Sequence, residues 1–377
     1  MKEGWEYSTI GDLCDKMNGL WKGKIGPFVK VGVIRNANFT KAFTLSFDNI
    51  EYLDVEAKQY KTRKLVKGDL IVEKSGGSEK QPVGRTVLFD KEEGEYSFSN
   101  FTSVLRIKDR NVITPEFLYK YILFVYLRGD TRKMQKATTG IHNIEFDKFL
   151  SIPVPKLSLS EQQSIVDSLD SAFAKIDAMK ANAEKSLNEA KALFQASLKE
   201  MLEPKEGWEE KKLIKEFSLK SGENLSAKNQ VIGPYPVYGG NGITGYHNQY
   251  NLSGDQILIG RVGALCGNIH YIKERIWVTD NAFVVNNISS SWNMLFLSYE
   301  LEYINLNQYA SQTAQPVISN KSMKDVSIFQ PPLSEQQSIV ATLDSLKSKV
   351  DRLQANFEKI SQECNALKQA ILRQVFE

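Results

Sequence analysis

Near the end of the chain, Leu343, Leu346, Val350, Leu353, Phe357, Ile360, Cys364, Leu367 and Ile371 recur at spacings alternating between three and four. Such spacing lines one face of a helix and predicts a coiled-coil seam. An earlier stretch repeats it. Aligned without a gap, residues 159–202 and 333–376 are identical at 23 of 44 positions, and both open on Leu-Ser-Glu-Gln-Gln-Ser-Ile-Val. The matching seam of the earlier copy is Leu169, Ala172, Ile176, Met179, Ala183, Ser186, Ala190, Leu193 and Ser197, with smaller side chains on average. Bulk on one face needs space on the other, so the two helices are expected to pair, antiparallel, within one molecule. That pairing sets a globular segment at either end. At about 1.5 Å per residue, each helix would be a rod of about 66 Å.

Ser160 and Ser334 are placed to cap these helices, with Gln163 and Gln337 completing capping boxes three positions on. Glu161 and Glu335 put negative charge at the positive end of each helix dipole. Capping leaves Gln162 and Gln336 unexplained. Together with Gln163 and Gln337, they are candidates for docking a partner.

Ahead of each helix, the pattern changes to short β-type runs. Strands are expected at 28–35, 68–74, 85–90 and 102–108, then a helix opening at Thr114-Pro115. In the second half, strands are expected at 256–260, 268–272 and 282–286, then a helix capped by Ser291. The order of elements agrees between halves while the sequences hardly do. Lys-Glu-Gly-Trp-Glu opens each half, at Lys2 and at Lys205, and a proline-marked segment closes each, Pro153-Val-Pro155 and Pro331-Pro332. The expected fold is α+β: globular segments 1–158 and 204–332, helices 159–203 and 333–377, and pseudo-two-fold symmetry between the halves.

A formal charge of +3 over 377 residues says little until it is divided. Residues 1–158 hold 26 Lys+Arg against 20 Asp+Glu, whereas 204–332 balance at 11 each. The basic excess lies in one segment, where an anionic partner would be favoured. No apolar run approaches the roughly 18–20 residues that cross a bilayer, and Met1-Lys-Glu-Gly-Trp lacks the apolar core of a signal peptide. Three scattered cysteines, Cys14, Cys266 and Cys364, offer neither a disulfide framework nor a metal pair, which favours a reducing, cytoplasmic setting.

Candidate nucleic-acid contacts follow the helix of the first segment, in Arg128, Arg132, Lys133, Gln135, Lys136, Thr138 and Thr139. Lysine and arginine neutralise phosphates, while Gln, Asn and Arg read purine edges. The equivalent loop of the second segment is polar and uncharged, with Gln312, Thr313 and Gln315. A glycine- and tyrosine-rich stretch adds Tyr238, Asn241, His247 and Asn248, and Arg261 lies on a nearby glycine turn. No catalytic constellation accompanies them. His142, His247 and His270 lack metal spacing, and the sequence holds no GxxxxGK[ST] phosphate loop and no methyltransferase or nuclease motif.

Two divergent segments alternating with two repeated helices, each helix introduced by prolines and L-S-E-Q-Q-x-I-V, resemble the specificity subunit of type I restriction–modification systems. The resemblance covers essentially the whole chain, including Gly254-Asp, Ile259-Gly-Arg-Val-Gly263 and Trp277-Val-Thr-Asp-Asn281. It implies a non-catalytic subunit with two target recognition domains, each reading one half of a split, asymmetric site in double-stranded DNA. The helices would set the unread spacer and hold two methyltransferase subunits, and a restriction motor would join the full complex. S-adenosylmethionine and ATP with magnesium would be bound by those partners. The competing expectation is a non-catalytic coiled-coil scaffold whose β-rich heads bind proteins or glycans.

Overall fold

A strand at the first proline-marked segment and one just before the second each pair with the start of their own half. In a computed structural model that describes residues 4–377, except Lys22, Lys24, Thr139 and residues 312–314, Pro153–Pro155 pairs antiparallel with Tyr7–Thr9. Ser327–Gln330 pairs likewise with Glu209–Lys212. Proline lacks an amide donor, so a two-stranded ribbon suits it. The chain forms two compact units, 1–182 with 359–377, and 183–358.

Both heads repeat one plan. A four-stranded antiparallel sheet runs Cys14–Asn18, Thr102–Ile107, Leu70–Glu73, Thr86–Leu88 in the first, and Ser218–Ser221, Ala282–Asn286, Gln256–Gly260, Ile269–Ile272 in the second. A three-stranded sheet accompanies each. Its central strand, Phe28–Ile34 or Tyr235–Gly239, has an antiparallel neighbour (Glu51–Glu56 or Gly242–His247) and a parallel one (Tyr96–Phe98 or Trp277–Val278). Much of the first head's extra length lies between its central and antiparallel strands: residues 35–50 stand where the second head has only Gly240 and Asn241. A helix then lies against the larger sheet, Pro115–Arg128 capped by Thr114, or Met294–Ile304. The second of these is capped by Asn293, whose Oδ1 accepts from the Leu295 and Phe296 amides, and not by Ser291.

The repeated octapeptides open two helices of 44 residues, Leu159–Leu202 and Leu333–Phe376. The first unit contains the start of one and the end of the other. There Val166 and Leu169 join Leu372 and Phe376 against the head's helix, with the Phe376 ring 5.2 Å from Tyr121 and 5.4 Å from Phe124. In the second unit Ile339 and Leu343 join Phe194, Leu198 and Leu202. The pairing is antiparallel within each unit. Lys368 meets Asp177 at 2.6 Å while Cys364 Sγ lies 3.7 Å from the Ile176 carbonyl, and Lys191 donates to Gln354 at 2.8 Å.

Three expectations need correction. The first helix turns Met179 and Leu193 outward, 59% and 57% exposed, with Ser186 also exposed; Phe173, Leu187, Phe194 and Leu198 face inward instead. Leu367 of the second is exposed as well. A straight helix drifts about 20° per heptad from a 3.5-residue seam, and large side chains elsewhere take over. The cap sits two residues earlier than expected. Ser158 Oγ meets the Glu161 amide, and Glu161 Oε2 accepts from Ser158 Oγ at 2.6 Å and from Ser158 N at 2.9 Å, which hold the Glu161 carboxyl below its ordinary range. In the second copy Pro332 replaces Ser158, and Glu335 accepts from the Trp208 indole at 3.3 Å.

The third correction concerns Gln162 and Gln336, which are 1% and 0% exposed and cannot dock a partner. Gln162 Oε1 accepts from the Thr114 amide, and its Nε2 donates to the Val112 and Leu157 carbonyls, each bond 2.9 Å long. Gln336 makes the same clasp to the Asn293 amide and the Ser291 and Pro331 carbonyls, at 2.7, 3.0 and 2.9 Å. Each octapeptide therefore fastens its long helix to the head's helix N-terminus. A primary amide suits the task, because it supplies an acceptor and two donors at once. Gln163, which donates to Asp167, and Gln337 remain exposed.

Candidate nucleic-acid interface

The basic segment of the first head folds as a 3-10 turn, Asp130–Met134, followed by strand Gln135–Thr138. That strand turns back into Ile141–Ile144, with Lys136 opposite Asn143 and Ala137 opposite His142. Ile141–Ile144 pairs in turn with Ser75–Gly77. The hairpin is anchored at its base, where buried Ile144 donates to the Lys74 carbonyl at 2.9 Å and Glu145 to Met134 at 2.7 Å. Lys136 is exposed on its strand. Arg132 donates to the Glu79 carbonyl at 2.9 Å, tying the hairpin's approach to the neighbouring turn, and Lys133 is exposed beside it. Below the hairpin, burial first and then nearby Lys16 hold the Lys74 ammonium below its ordinary pKa. Cations crowded in this way are relieved by an anion.

Support for Ser75–Gly77 comes from within. Asn36 Nδ2 donates to the Ser75 carbonyl at 2.6 Å, and Arg85 pairs with Glu73 at 3.2 Å with little exposure of either side chain. Burial raises the Glu73 carboxyl and Arg85 draws it back, while the guanidinium stacks 5.2 Å from Phe39. Arg85 positions this edge from below.

In the second head two glycine turns are pressed together. A Cβ on Gly260 would lie 2.1 Å from the Gly240 carbonyl, and one on Gly240 would lie 2.7 Å from the Val262 carbonyl. Only glycines permit that approach. Asn241, exposed at the turn, is thereby set near Gly263, whose amide donates to Pro316 at 2.9 Å. Val262 bridges Val317, so the closing part of the second head's loop, residues 315–317, docks just beyond strand Gln256–Gly260, as the first head's hairpin docks on Ser75–Gly77 just beyond Leu70–Glu73. Gln315 is exposed in that loop; Gln312 and Thr313 lie outside the described residues, as does Thr139 in the first head.

The structure thus gathers Arg132, Lys133, Gln135, Lys136 and the strand position of Thr138 on one edge, and Asn241 with Gln315 on the other. Gln135 is half-buried and accepts from Val83 N at 3.4 Å. Asn248 is exposed one residue beyond the edge strand. Three expected contacts serve the interior instead, and a fourth, Arg128, is exposed but already paired. Arg128 pairs with Asp130 and with Glu377 and stacks 4.6 Å from Phe124, so its charge is neutralised. Tyr238 is buried edge-on to His270. His247 is buried, its Nδ1 3.1 Å from the Val231 amide and its ring perpendicular to Trp277. Arg261 donates to Ser221 Oγ at 3.2 Å and lies over Phe283. Sequence reasoning also passed over Lys16, Lys74 and Arg85; the switch from Val72-Glu73-Lys74 to Ser-Gly-Gly was the available sign of a working edge.

One frame is built twice, with a cationic edge loop on one head and a polar, uncharged loop on the other. A sequence model of the type I restriction modification DNA specificity domain matches residues 2–189 and 205–362. The chain belongs to that family. It is 32% identical over 258 residues to the type I restriction enzyme EcoprrI specificity subunit of Escherichia coli, a match spanning 65% of this chain and 62% of that protein. To the StySPI specificity subunit of Salmonella potsdam it is 24% identical, over 100% of this chain and 89% of the relative. A solved chain described under the complex assembly and conformational transition of the type I R-M system superposes with a TM-score of 0.73 at 17% identity, covering 100% of this chain and 98% of that one. The HsdS subunit from Thermoanaerobacter tengcongensis superposes with a TM-score of 0.52 at 18% identity, over 100% and 97% of the two chains. Both share the fold. The chain is a DNA-specificity protein of the type I class, which recognises DNA sequence and acts with modification and restriction subunits.

Proposed function

We propose that each head reads one half of a bipartite, asymmetric site in double-stranded DNA, and that the paired helices set the spacer between the halves. The observation that supports this is the repeated glutamine clasp, which fastens each long helix to the helix of a head in the same way while the edge loops of the two heads differ. A frame kept twice with edges that differ suits two different half-sites. Arg132, Lys133 and Lys136 would meet phosphates, and Gln135, Asn241 and Gln315 base edges. Two methyltransferase subunits would accompany the chain, supplying S-adenosylmethionine, with ATP and magnesium on the restriction motor. Gln163 and Gln337 remain candidates for docking those subunits. The setting would be the cytoplasm; among the described residues no helix is long and apolar enough to cross a membrane.

Methylome sequencing with and without the gene tests this reading. Loss of one bipartite adenine-methylation motif is expected when the gene is removed; an unchanged methylome refutes it.

A further inference from the structure

In each head a tight turn leads from the three-stranded sheet into the second strand of the four-stranded one, at Ser99–Thr102 and at Thr279–Ala282. The Thr102 amide donates to the Ser99 carbonyl at 3.0 Å, and the Ala282 amide to the Thr279 carbonyl at 3.1 Å. A glycine just after the four-stranded sheet's first strand lets each turn press close. A Cβ on Gly19 would lie 1.8 Å from the Ser99 carbonyl oxygen, and one on Gly222 would lie 2.4 Å from that of Thr279. The carbonyl at the third place of each turn is then tied to the strand end beneath the edge loop. Phe101 accepts from the Lys74 and Ser75 amides at 2.9 and 3.1 Å, and Asn281 accepts from the Arg261 amide at 2.8 Å. The backbone is the same twice; the side chain at the third place is not. It is phenylalanine in one head and asparagine in the other, and both are exposed, Phe101 at 48%.

Resting on the reading above, we propose that Phe101 and Asn281 are specificity residues, Phe101 packing on a thymine methyl in one half-site and the Asn281 side-chain amide pairing with an adenine in the other. Position comes first. In the first head the backbone partners run in a row from Phe101 through Ser75 and Asn143 to Lys136. Three strand spacings put the turn about 14 Å from Lys136, close to the roughly 12 Å width of the major groove. A cation on phosphate at one end of the row thus leaves an uncharged ring over base edges at the other. In the second head the Ile318 amide donates to the Arg261 carbonyl at 2.9 Å, so Asn281 and the loop carrying Gln315 flank one strand end. A Cβ on Gly240 would lie 2.9 Å from the Asn281 carbonyl oxygen, which sets Asn281 beside the turn that holds Asn241. Chemistry comes second. Phosphate contacts draw on lysine and arginine, and neither turn tip carries one. Phenylalanine suits the thymine methyl, and asparagine suits N6 and N7 of adenine. Neither side chain has a task inside its head: Phe101 belongs to no apolar core of the first head, and Asn281 makes no side-chain hydrogen bond among the described residues.

The test reads the motif methylated by the full chain with its co-expressed modification subunit. Methylome sequencing of the wild type gives both half-sites. Phe101→Ala is expected to relax one thymine position in one half-site, and Asn281→Ala one adenine position in the other, with the remaining positions as in wild type. Binding to synthetic duplexes then isolates the contact. Deoxyuridine in place of that thymine should weaken wild-type binding about fourfold and leave Phe101→Ala indifferent. Likewise, 7-deazaadenine in place of that adenine should weaken wild-type binding about fivefold and leave Asn281→Ala indifferent. Because the base analogues act on the wild-type chain, they decide the matter even where a variant fails to fold. A motif left fully stringent by either variant overturns the role of that residue, as does wild-type binding indifferent to its base analogue at every position. A lower salt slope in either variant gives that turn to phosphate and overturns its base contact. A wild-type chain that directs no bipartite methylation overturns the underlying reading as well, a result distinct from an intact bipartite motif indifferent to both substitutions.

Discussion

Replacing Gln162 by leucine keeps the side-chain bulk but removes all three bonds of the first clasp. The Thr114 amide and the Val112 and Leu157 carbonyls then lose their partner. A buried backbone group left unpaired costs about 1–3 kcal/mol. Val112 is half exposed, so its carbonyl can turn to water at small cost, whereas Thr114 and Leu157 are less accessible. We therefore expect a loss of about 2–4 kcal/mol, confined to the unit formed by residues 1–182 and 359–377. Gln163→Leu, on the exposed face one residue on, should cost no more than about 0.5 kcal/mol. Native-state hydrogen exchange separates the two units. Gln162→Leu should accelerate exchange at Phe117 and Leu118 of the first head's helix and leave Leu297 of the second unchanged, and Gln336→Leu should do the reverse. A Gln162→Leu effect below about 1 kcal/mol, or one no larger than that of Gln163→Leu, would refute the clasp as the fastening.

Phe376→Ala empties a fully packed aromatic site among Phe117, Tyr121 and Phe124 and should destabilise the first unit by about 3–5 kcal/mol in urea titration, leaving exchange in the second unit as it was. Burial raises the carboxyl of Glu300, 0% exposed and bonded to the Phe329 amide, from 4.5 to about 7. The unfolded chain thus ionises first, so stability is fullest below pH 4.5 and falls as pH rises through 7. Glu300→Gln should remove that fall, gaining up to about 3 kcal/mol on wild type between pH 4 and pH 8; parallel stability curves would count against it. Lys136→Ala should weaken DNA binding and reduce the slope of log affinity against log salt by about one, measured by fluorescence anisotropy; an unchanged slope would remove Lys136 from the phosphate contacts.

Strands set by local patterning were legible from the sequence. Gln256–Gly260 and Ala282–Asn286 fall at the expected bounds, because runs of Ile, Leu, Val and Phe between turn residues leave few alternatives. Thr114-Pro115 announced its helix for the same local reason. What escaped is set by distant partners. The burial of Gln162 depends on backbone groups at Val112 and Thr114, 50 and 48 residues away, and nothing beside it in the sequence marks them. His247 and Tyr238 carry the residue types of a reading surface but face Trp277 and His270 inside the head. The basic hairpin was found by composition, while its third strand at Ser75–Gly77 was hidden by being too short and glycine-rich to show a period.

The repeat also restricts how a spacer can change. Each long helix begins in one unit and ends in the other, where its last residues complete a core: Leu198 and Leu202 in the second unit, Leu372 and Phe376 in the first. A heptad inserted in one helix alone moves its end by about 10.5 Å, which pulls those residues out of the core they close. Inserted in both, between the clasp and the closing residues, it leaves every head contact in place and lengthens only the stretch between. The paired insertion should therefore shift the preferred spacer and preserve both half-sites in the methylome, while either single insertion should unfold a head. A functional single insertion with unchanged spacing would show that the helices hold the subunit together without measuring DNA.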